Sequence, residues 1–385
     1  MKKREAHDSV RRILDELEDR IDPDLQKQIR QRHTKSALWE KVDRPPLLLV
    51  PPWDSREPAL HPVSEAVTDP SKMLANELRR GFSSILRWLR IQDDKPLQVR
   101  PDFGIGLVAG VFGARLEVVE NNPPWVHPIE SDNKKSSVEG LLDRLDIGAC
   151  QNLGWLPRVA ETLDYYTETL RQYPNVASSV AVALPDLQGA FDNAAMLWGS
   201  DIFLALVTEP ELIQRLLAAV ARTMVHLHNW LRRWVGRELL PEGFSHQHGG
   251  IIRGNILLRC DSNVMVHPDM YASRIFPHEL QVLRSVGGGS YHSCGRWMHN
   301  IPAVINAEEV GSLDFGTNQS HMNEMHLVYG WARERRKHLH LVAVSPEELR
   351  NGRVPERYPT GVTLQCSIDS AEEAVVLMDQ YASQA

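Results

Sequence analysis

The sequence predicts an α/β protein, a (β/α)8 TIM barrel carrying a helical N-terminal extension. Three observations carry that expectation. From residue 176 onward, short apolar strand signals alternate with helical patterns, the mark of a parallel sheet covered by helices. The chain of 385 residues leaves room, behind its helical start, for the roughly 250 residues a barrel needs. The glycine fingerprints of nucleotide-binding open sheets are missing: Gly104-x-Gly106 lacks its third glycine, no Gly-Lys-Ser/Thr loop exists, and Gly287-Gly288-Gly289 precedes a strand instead of following one. Residues 1–95 then read as a helical section packing on the barrel, and residues 96–385 as the barrel itself.

The elements follow in order. Val10, Ile13, Leu14, Leu17 and Ile21 stand at helical spacing among dense charge, an amphipathic surface helix ended by Asp22-Pro23-Asp24. Leu47 to Val50, fenced by Pro45-Pro46 and Pro51-Pro52, reads as a short buried strand. Helical segments are expected over 73–90, and a loop over the Pro-, Asn- and Ser-rich residues 121–137. Strands are expected at 176–184, 254–260, 289–294, 311–315, 339–344 and 363–366. Helices are expected at 194–198, 209–234, 268–286, 297–307 and 325–335, from 345, and at 370–381. No internal repeat of fixed period is found.

Composition narrows the function. An apolar share of 42% and a charged share of 24% exclude disordered and fibrous architectures. Forty-three basic against fifty acidic residues give a net charge of −7, which argues against a nucleic-acid-coating or membrane-surface protein. No run approaches the roughly 18 apolar residues of a membrane helix. The charged N-terminus is not a signal peptide, and four scattered cysteines are no disulfide scaffold. The expectation is a soluble cytoplasmic enzyme.

In a barrel, chemistry sits at the C-terminal ends of the strands. The ends predicted here supply Asp102, Asp186 or Asp192, Cys260-Asp261, His292-Ser293-Cys294, Asp314 and Cys366. The sharpest motif is Tyr291-His292-Ser293-Cys294-Gly295. Residues at i and i+2 of a strand share a face, so His292 and Cys294 can reach one ion. Imidazole and thiolate are zinc donors, and catalytic zinc takes three protein ligands; Cys366, on a later strand, offers the third. Asp192 and Asp261 orient a substrate, or back the zinc histidine, or only cap the helices that follow. Asp314 points from the strand beside the His-x-Cys motif. His246-x-His248 reads as a solvated loop or a substrate contact, and His226 and His228 as helix surface. Trp198 and Trp297 either line a flat pocket or fill the core. Arg296 either grips an acidic group or pairs on the surface, and residues 333–338 read as a solvated helix face or a contact for an acidic partner protein.

Tyr-His-Ser-Cys-Gly-Arg at 291–296, a helix, and then Val310-Gly311-Ser312-Leu313-Asp314-Phe315 resemble the metal-binding region of the uroporphyrinogen decarboxylase superfamily. The nearest likeness is to the branch of corrinoid- and coenzyme M-dependent methyltransferases. Leu187-Gln188-Gly189-Ala190-Phe191-Asp192-Asn193-Ala194 with Trp198-Gly199 is similar to the second-strand loop. Thr208-Glu209-Pro210-Glu211-Leu212 is similar to the turn before the next long helix, and Asp261, His267-Pro268-Asp269-Met270-Tyr271 and Phe276-Pro277 follow in family order. The likeness spans roughly residues 40–385. It implies a (β/α)8 barrel in which zinc, held by His292, Cys294 and Cys366, binds a substrate thiol and lowers its pKa. The resulting thiolate would take a methyl group from a corrinoid (cobalamin) or similar donor, with a corrinoid protein as a further partner.

The true decarboxylases are less closely matched. Asp102, in Arg100-Pro101-Asp102-Phe103, resembles their first-strand aspartate, which meets the pyrrole NH groups of a tetrapyrrole. Their Arg-Gln-Ala-Gly-Arg motif is absent, with Pro52-Trp53-Asp54-Ser55-Arg56 near its place. Their second-strand tyrosine is replaced around residues 194–196, and their late Gly-His-Gly by Leu364-Gln365-Cys366-Ser367. The leading expectation is a zinc-dependent thiol methyltransferase. Its rivals are a metal-free tetrapyrrole decarboxylase acting through Asp102, and a non-catalytic corrinoid- or tetrapyrrole-binding protein.

Overall fold

The computed structural model of the chain describes residues 2–52, 59–80, 85–235 and 239–384. Along the chain run β1 (Leu47–Val50), β2 (Gln98–Val99), β3 (Arg115–Glu117), β4 (Trp125–His127), β5 (Ala181–Val182), β6 (Phe244–Gln247), β7 (Gly250–Arg253), β8 (Leu257–Arg259), β9 (Gly289–His292), β10 (Val310–Asp314), β11 (His338–Ala343) and β12 (Val362–Ser367). Six of them form one parallel sheet in the order β1-β12-β11-β10-β9-β8. β2 and β5 make a second parallel pair, and β3–β4 and β6–β7 are antiparallel hairpins. Because β1 pairs with β12, with Leu49 opposite Cys366, the N-terminal section contributes a strand to the sheet instead of only packing on it.

The strands expected at 254–260, 289–294, 311–315, 339–344 and 363–366 are present within a few residues of those bounds, as are the helices between them. Three segments differ from the sequence reading, each for a local reason. Asp22-Pro23-Asp24 ends one helix and starts another, Pro23–Ala37. Asp22 accepts the N–H groups of Asp24 and Leu25, and Pro23 fills a first-turn position that needs no donor. Residues 176–184 open inside the helix Pro174–Ser179, and only Ala181–Val182 pairs as strand. The expected loop at 121–137 contains β4, and Asn133 caps the helix Lys134–Arg144 by accepting the Ser136 N–H.

One side of the sheet is packed with buried polar groups. The helix Pro23–Ala37 buries Gln26, Arg30, His33 and Ser36, and Ser36 Oγ donates to Val362 O at 2.8 Å. The β6–β7 hairpin lies against β9 to β11. Arg253 N donates to Ser312 Oγ at 3.0 Å, and Ser290 Oγ donates to Arg253 O at 2.8 Å. Gly250 must be glycine there, because a Cβ would stand 2.2 Å from His340 Cε1. On the helix-covered side, Trp297 is fully buried between Tyr291 and Phe315, with ring centroids 5.7 and 5.6 Å away; it is core, and so is Trp198. Among the described residues, no single helix is long and apolar enough to cross a membrane.

Candidate metal centre

Three neighbouring strands end side by side. His292 closes β9 opposite Asp314 of β10 and Arg259 of β8, and Cys260-Asp261 follows β8 directly. His292 Nδ1 lies 2.8 Å from Asp314 Oδ1. An ionised carboxylate only accepts, so Nδ1 carries the proton and Nε2 is turned outward. Nε2 stands 3.2 Å from Cys294 Sγ and 3.4 Å from Asp261 Oδ1, and Cys294 N donates to that same oxygen at 2.8 Å.

Asp314 has no solvent exposure, and both of its oxygens are used. Oδ1 also accepts from Gly316 N at 2.7 Å, and Oδ2 accepts from His248 Nδ1 at 2.8 Å. Burial alone would raise this carboxyl, but His248 and His292 outweigh it and hold it well below the usual carboxylate range. Burial would likewise depress His292, yet Asp314 and the contact with Asp261 hold the imidazole well above its ordinary value. Gly316, at φ +71°, leaves the room: a Cβ there would meet His292 Cε1 at 3.1 Å and Cys294 Sγ at 3.5 Å. The open side of the cluster is Asp261, whose carboxylate is 49% exposed.

The structure brings His292, Cys294, Asp261 and Asp314 together and adds His248. The reading of His246-x-His248 as a solvated loop is corrected: both lie in or beside a buried hairpin, because the interior that receives them is itself polar. Only the adjacent β-branched pair Ile251-Ile252 hinted at this strand pair. Asp192 sits behind Asp261, accepting its N–H at 2.8 Å and that of Ser262 at 3.1 Å, and so fixes the loop that carries the exposed carboxylate. Burial pushes the Asp192 carboxyl up to about 6.

Cys366 stands apart. Gln365, one residue earlier, turns its side chain to the loop that follows β10 and accepts from Asn318 N at 3.0 Å. Side chains alternate along a strand, so Cys366 faces the helix layer of Glu348, Arg350 and Glu373, where burial raises its thiol to about 12. It belongs to neither donor group among the described residues. Asp102 also belongs to neither donor group among the described residues. It is 45% exposed, and accepts from Arg100 Nη2 at 3.2 Å and from Gly104 N at 3.3 Å. His228, expected on a helix surface, is buried with Nε2 3.0 Å from Asn255 O; Arg296 pairs with Glu324 on the surface. The run 333–338 is no solvated face throughout, since Lys337 and His338 are buried at the start of β11. Trp53 to Arg56 fall outside the described residues.

Near Asp102, buried Glu77 accepts the Arg100 N–H at 2.8 Å. Burial, with the Asp102 charge adding to it, pushes the Glu77 carboxyl up to about 8. A carboxyl raised on folding loses stability as pH climbs from its unfolded value toward its folded one. Glu77→Gln keeps the acceptor without the titration. It is expected to stabilise the fold by about 2–4 kcal/mol at pH 8 and to change little at pH 4, as read from denaturant midpoints at the two pH values.

Imidazole, thiolate and carboxylate suit zinc, and tetrahedral zinc with bonds of about 2.0–2.3 Å sets its donors roughly 3.3–3.6 Å apart, close to the spacings here. The Asp314–His292 pair adds the carboxylate partner that orients a metal-binding imidazole. No protein-family model matches the chain, and no curated protein is similar to it in sequence.

Proposed function

We propose that the chain is a zinc-dependent methyltransferase-like enzyme of the uroporphyrinogen decarboxylase superfamily, moving a methyl group from a corrinoid or similar donor to a thiol. The observation that carries this reading is the convergence of His292 Nε2, Cys294 Sγ and Asp261 Oδ1 on one point, with Asp314 behind the imidazole. The donor set keeps the His-x-Cys pair that the resemblance implies, but Asp261 replaces Cys366 as third ligand. The sheet order supports the barrel reading. Taken with β2 and β5, the parallel strands follow one another as β1, β2, β5, β8, β9, β10, β11 and β12, and β12 pairs back on β1.

Zinc bound here would supply the Lewis acidity that makes a thiol a thiolate near neutral pH. The protein's own groups do the positioning. Asp314 fixes the His292 tautomer, and Asp192 holds the Asp261 loop through two backbone N–H groups. Asp192 and Asp261 also line one side of a cleft of about 480 Å³ whose other walls include Ile105, Trp125, Met196 and Phe203. No lysine or arginine lines it among the described residues. A tetrapyrrole bearing several carboxylates calls for cations, so the cleft favours the thiol reading over the decarboxylase.

Elemental analysis of protein purified without chelator tests the proposal. The expected result is about one zinc per chain, lost in His292→Ala and Cys294→Ser, reduced in Asp261→Asn and retained in Cys366→Ser. Absence of zinc, or its retention in the first two variants, would sink the mechanism. Loss in Cys366→Ser with retention in Asp261→Asn would restore Cys366 as third ligand.

A further inference from the structure

At the opposite end of the sheet, the starts of β9 and β10 open into a cavity of about 710 Å³. Arg253, Arg284, Arg335, Arg336 and Lys337 line it against only two carboxylates, Glu308 and Glu309, in a chain of net charge −7. Arg284 pairs with Glu309, and Arg335 with Glu334. The other three cations meet neutral carbonyls. Arg253 Nη1 donates to Arg336 O at 2.7 Å, Arg336 Nη2 to Leu38 O at 2.5 Å, and Lys337 Nζ to Ala307 O and Val310 O, both at 2.7 Å. Burial first, then the neighbouring Arg336, pulls the Arg253 guanidinium below its usual range; burial and Arg253 do the same to Lys337. Crowding like charges in a half-buried cavity is costly unless an anion occupies it.

Two guanidinium forks suit a phosphate, with the Lys337 ammonium, held by the Ala307, Glu308 and Val310 carbonyls, adding only its charge, and the volume is that of a small-molecule site. The walls connect to the metal centre. Gly243, Arg253 and Gly254 are the feet of the β6–β7 hairpin, and its turn carries His248, which donates to Asp314. Gly254 is seated so tightly that a Cβ would lie 2.3 Å from Gly289 Cα, so the feet cannot shift without moving β9. We propose that this cavity is a regulatory site for a phosphate-bearing small molecule, coupled to Asp314 through the β6–β7 hairpin. The assignment is independent of what the metal centre does.

The test is binding of radiolabelled inorganic phosphate to the full chain, with thermal unfolding in phosphate against chloride at equal ionic strength. Saturable uptake of one phosphate per chain is expected, with a rise of about 2 °C at ten times the dissociation constant. Both are expected to disappear in Arg253→Gln and in Arg336→Gly. Arg336 sits at φ +52°, a conformation glycine accepts without strain, so the second variant retains its fold. Hydrogen exchange of the hairpin-turn amides should slow at least threefold with phosphate. A rise that does not saturate, or that survives in both variants, is a general salt effect and overturns the site. Saturable binding with unchanged exchange at the turn overturns the coupling.

Discussion

Asp314→Asn is expected to cost the fold about 3 kcal/mol and to weaken zinc retention by about 10- to 100-fold. The carboxylate is fully buried and accepts three N–H groups, from His292, His248 and Gly316. An amide offers one accepting oxygen and one donating nitrogen. Whichever imidazole faces the nitrogen must give up its proton there, and the pair of buried rings loses the charge that both lean on. If His292 is the ring that switches, its one remaining proton is held on Nε2, and the ring can no longer bind metal there without losing the hydrogen bond at Nδ1. Urea midpoints at pH 7 and competition for zinc against a chelating dye read the two effects separately. A variant within 0.5 kcal/mol of the parent that keeps its zinc would show that Asp314 neither anchors the fold nor orients the ligand.

Gly254→Ala carries the other large effect, with an expected loss of about 4 kcal/mol or more. Its Cβ would stand 2.3 Å from Gly289 Cα, 2.4 Å from Gly289 N and 2.7 Å from Gly288 C. All three are backbone atoms that cannot rotate away, so the strand and the hairpin must part. The residue also sits at φ +97°, where an L side chain is strained. Gly243→Ala is the control, for it shares a positive φ of +82° but has nothing within 4 Å of the added carbon. It should lose only about 1–2 kcal/mol, the backbone part alone. Equal losses in the two variants, measured by denaturant unfolding, would mean that crowding at Gly289 is relieved by some movement and that backbone conformation sets the cost.

The strands that bear the metal centre were legible because each is a short segment between helical patterns, apolar in β8 and mixed with Gly and Ser in β9 and β10, that closes on a polar residue. His292, Cys294, Asp261 and Asp314 all stand at such ends, and adjacency of β8, β9 and β10 follows from parallel order. Two things were hidden. The direction of Cys366 depends on which face of β12 looks inward, and this interior is polar, so Gln365 and Thr363 take it while Leu364 and Cys366 join the apolar helix layer. A cysteine assigned to the metal centre by its place in the chain therefore faces away from it. The same polar interior concealed His248. A stretch reading Ser-His-Gln-His-Gly-Gly has the composition of a surface turn, and only the partners waiting inside, Asp314 above all, make it a buried hairpin. The second helix, from Pro23, was readable in principle from Asp-Pro at its start, since that pair opens helices as readily as it follows them.

The clamp on His292 has a consequence for how the centre fills. Asp314 and Asp261 raise the His292 imidazole well above its ordinary value, so a proton competes with metal for the nitrogen that faces Cys294. An arriving zinc ion must evict that proton, so loading is an exchange of one positive guest for another inside a cradle already shaped for charge. Filling the site would acidify the surrounding solution, and the hold on zinc would tighten as the medium grows more alkaline.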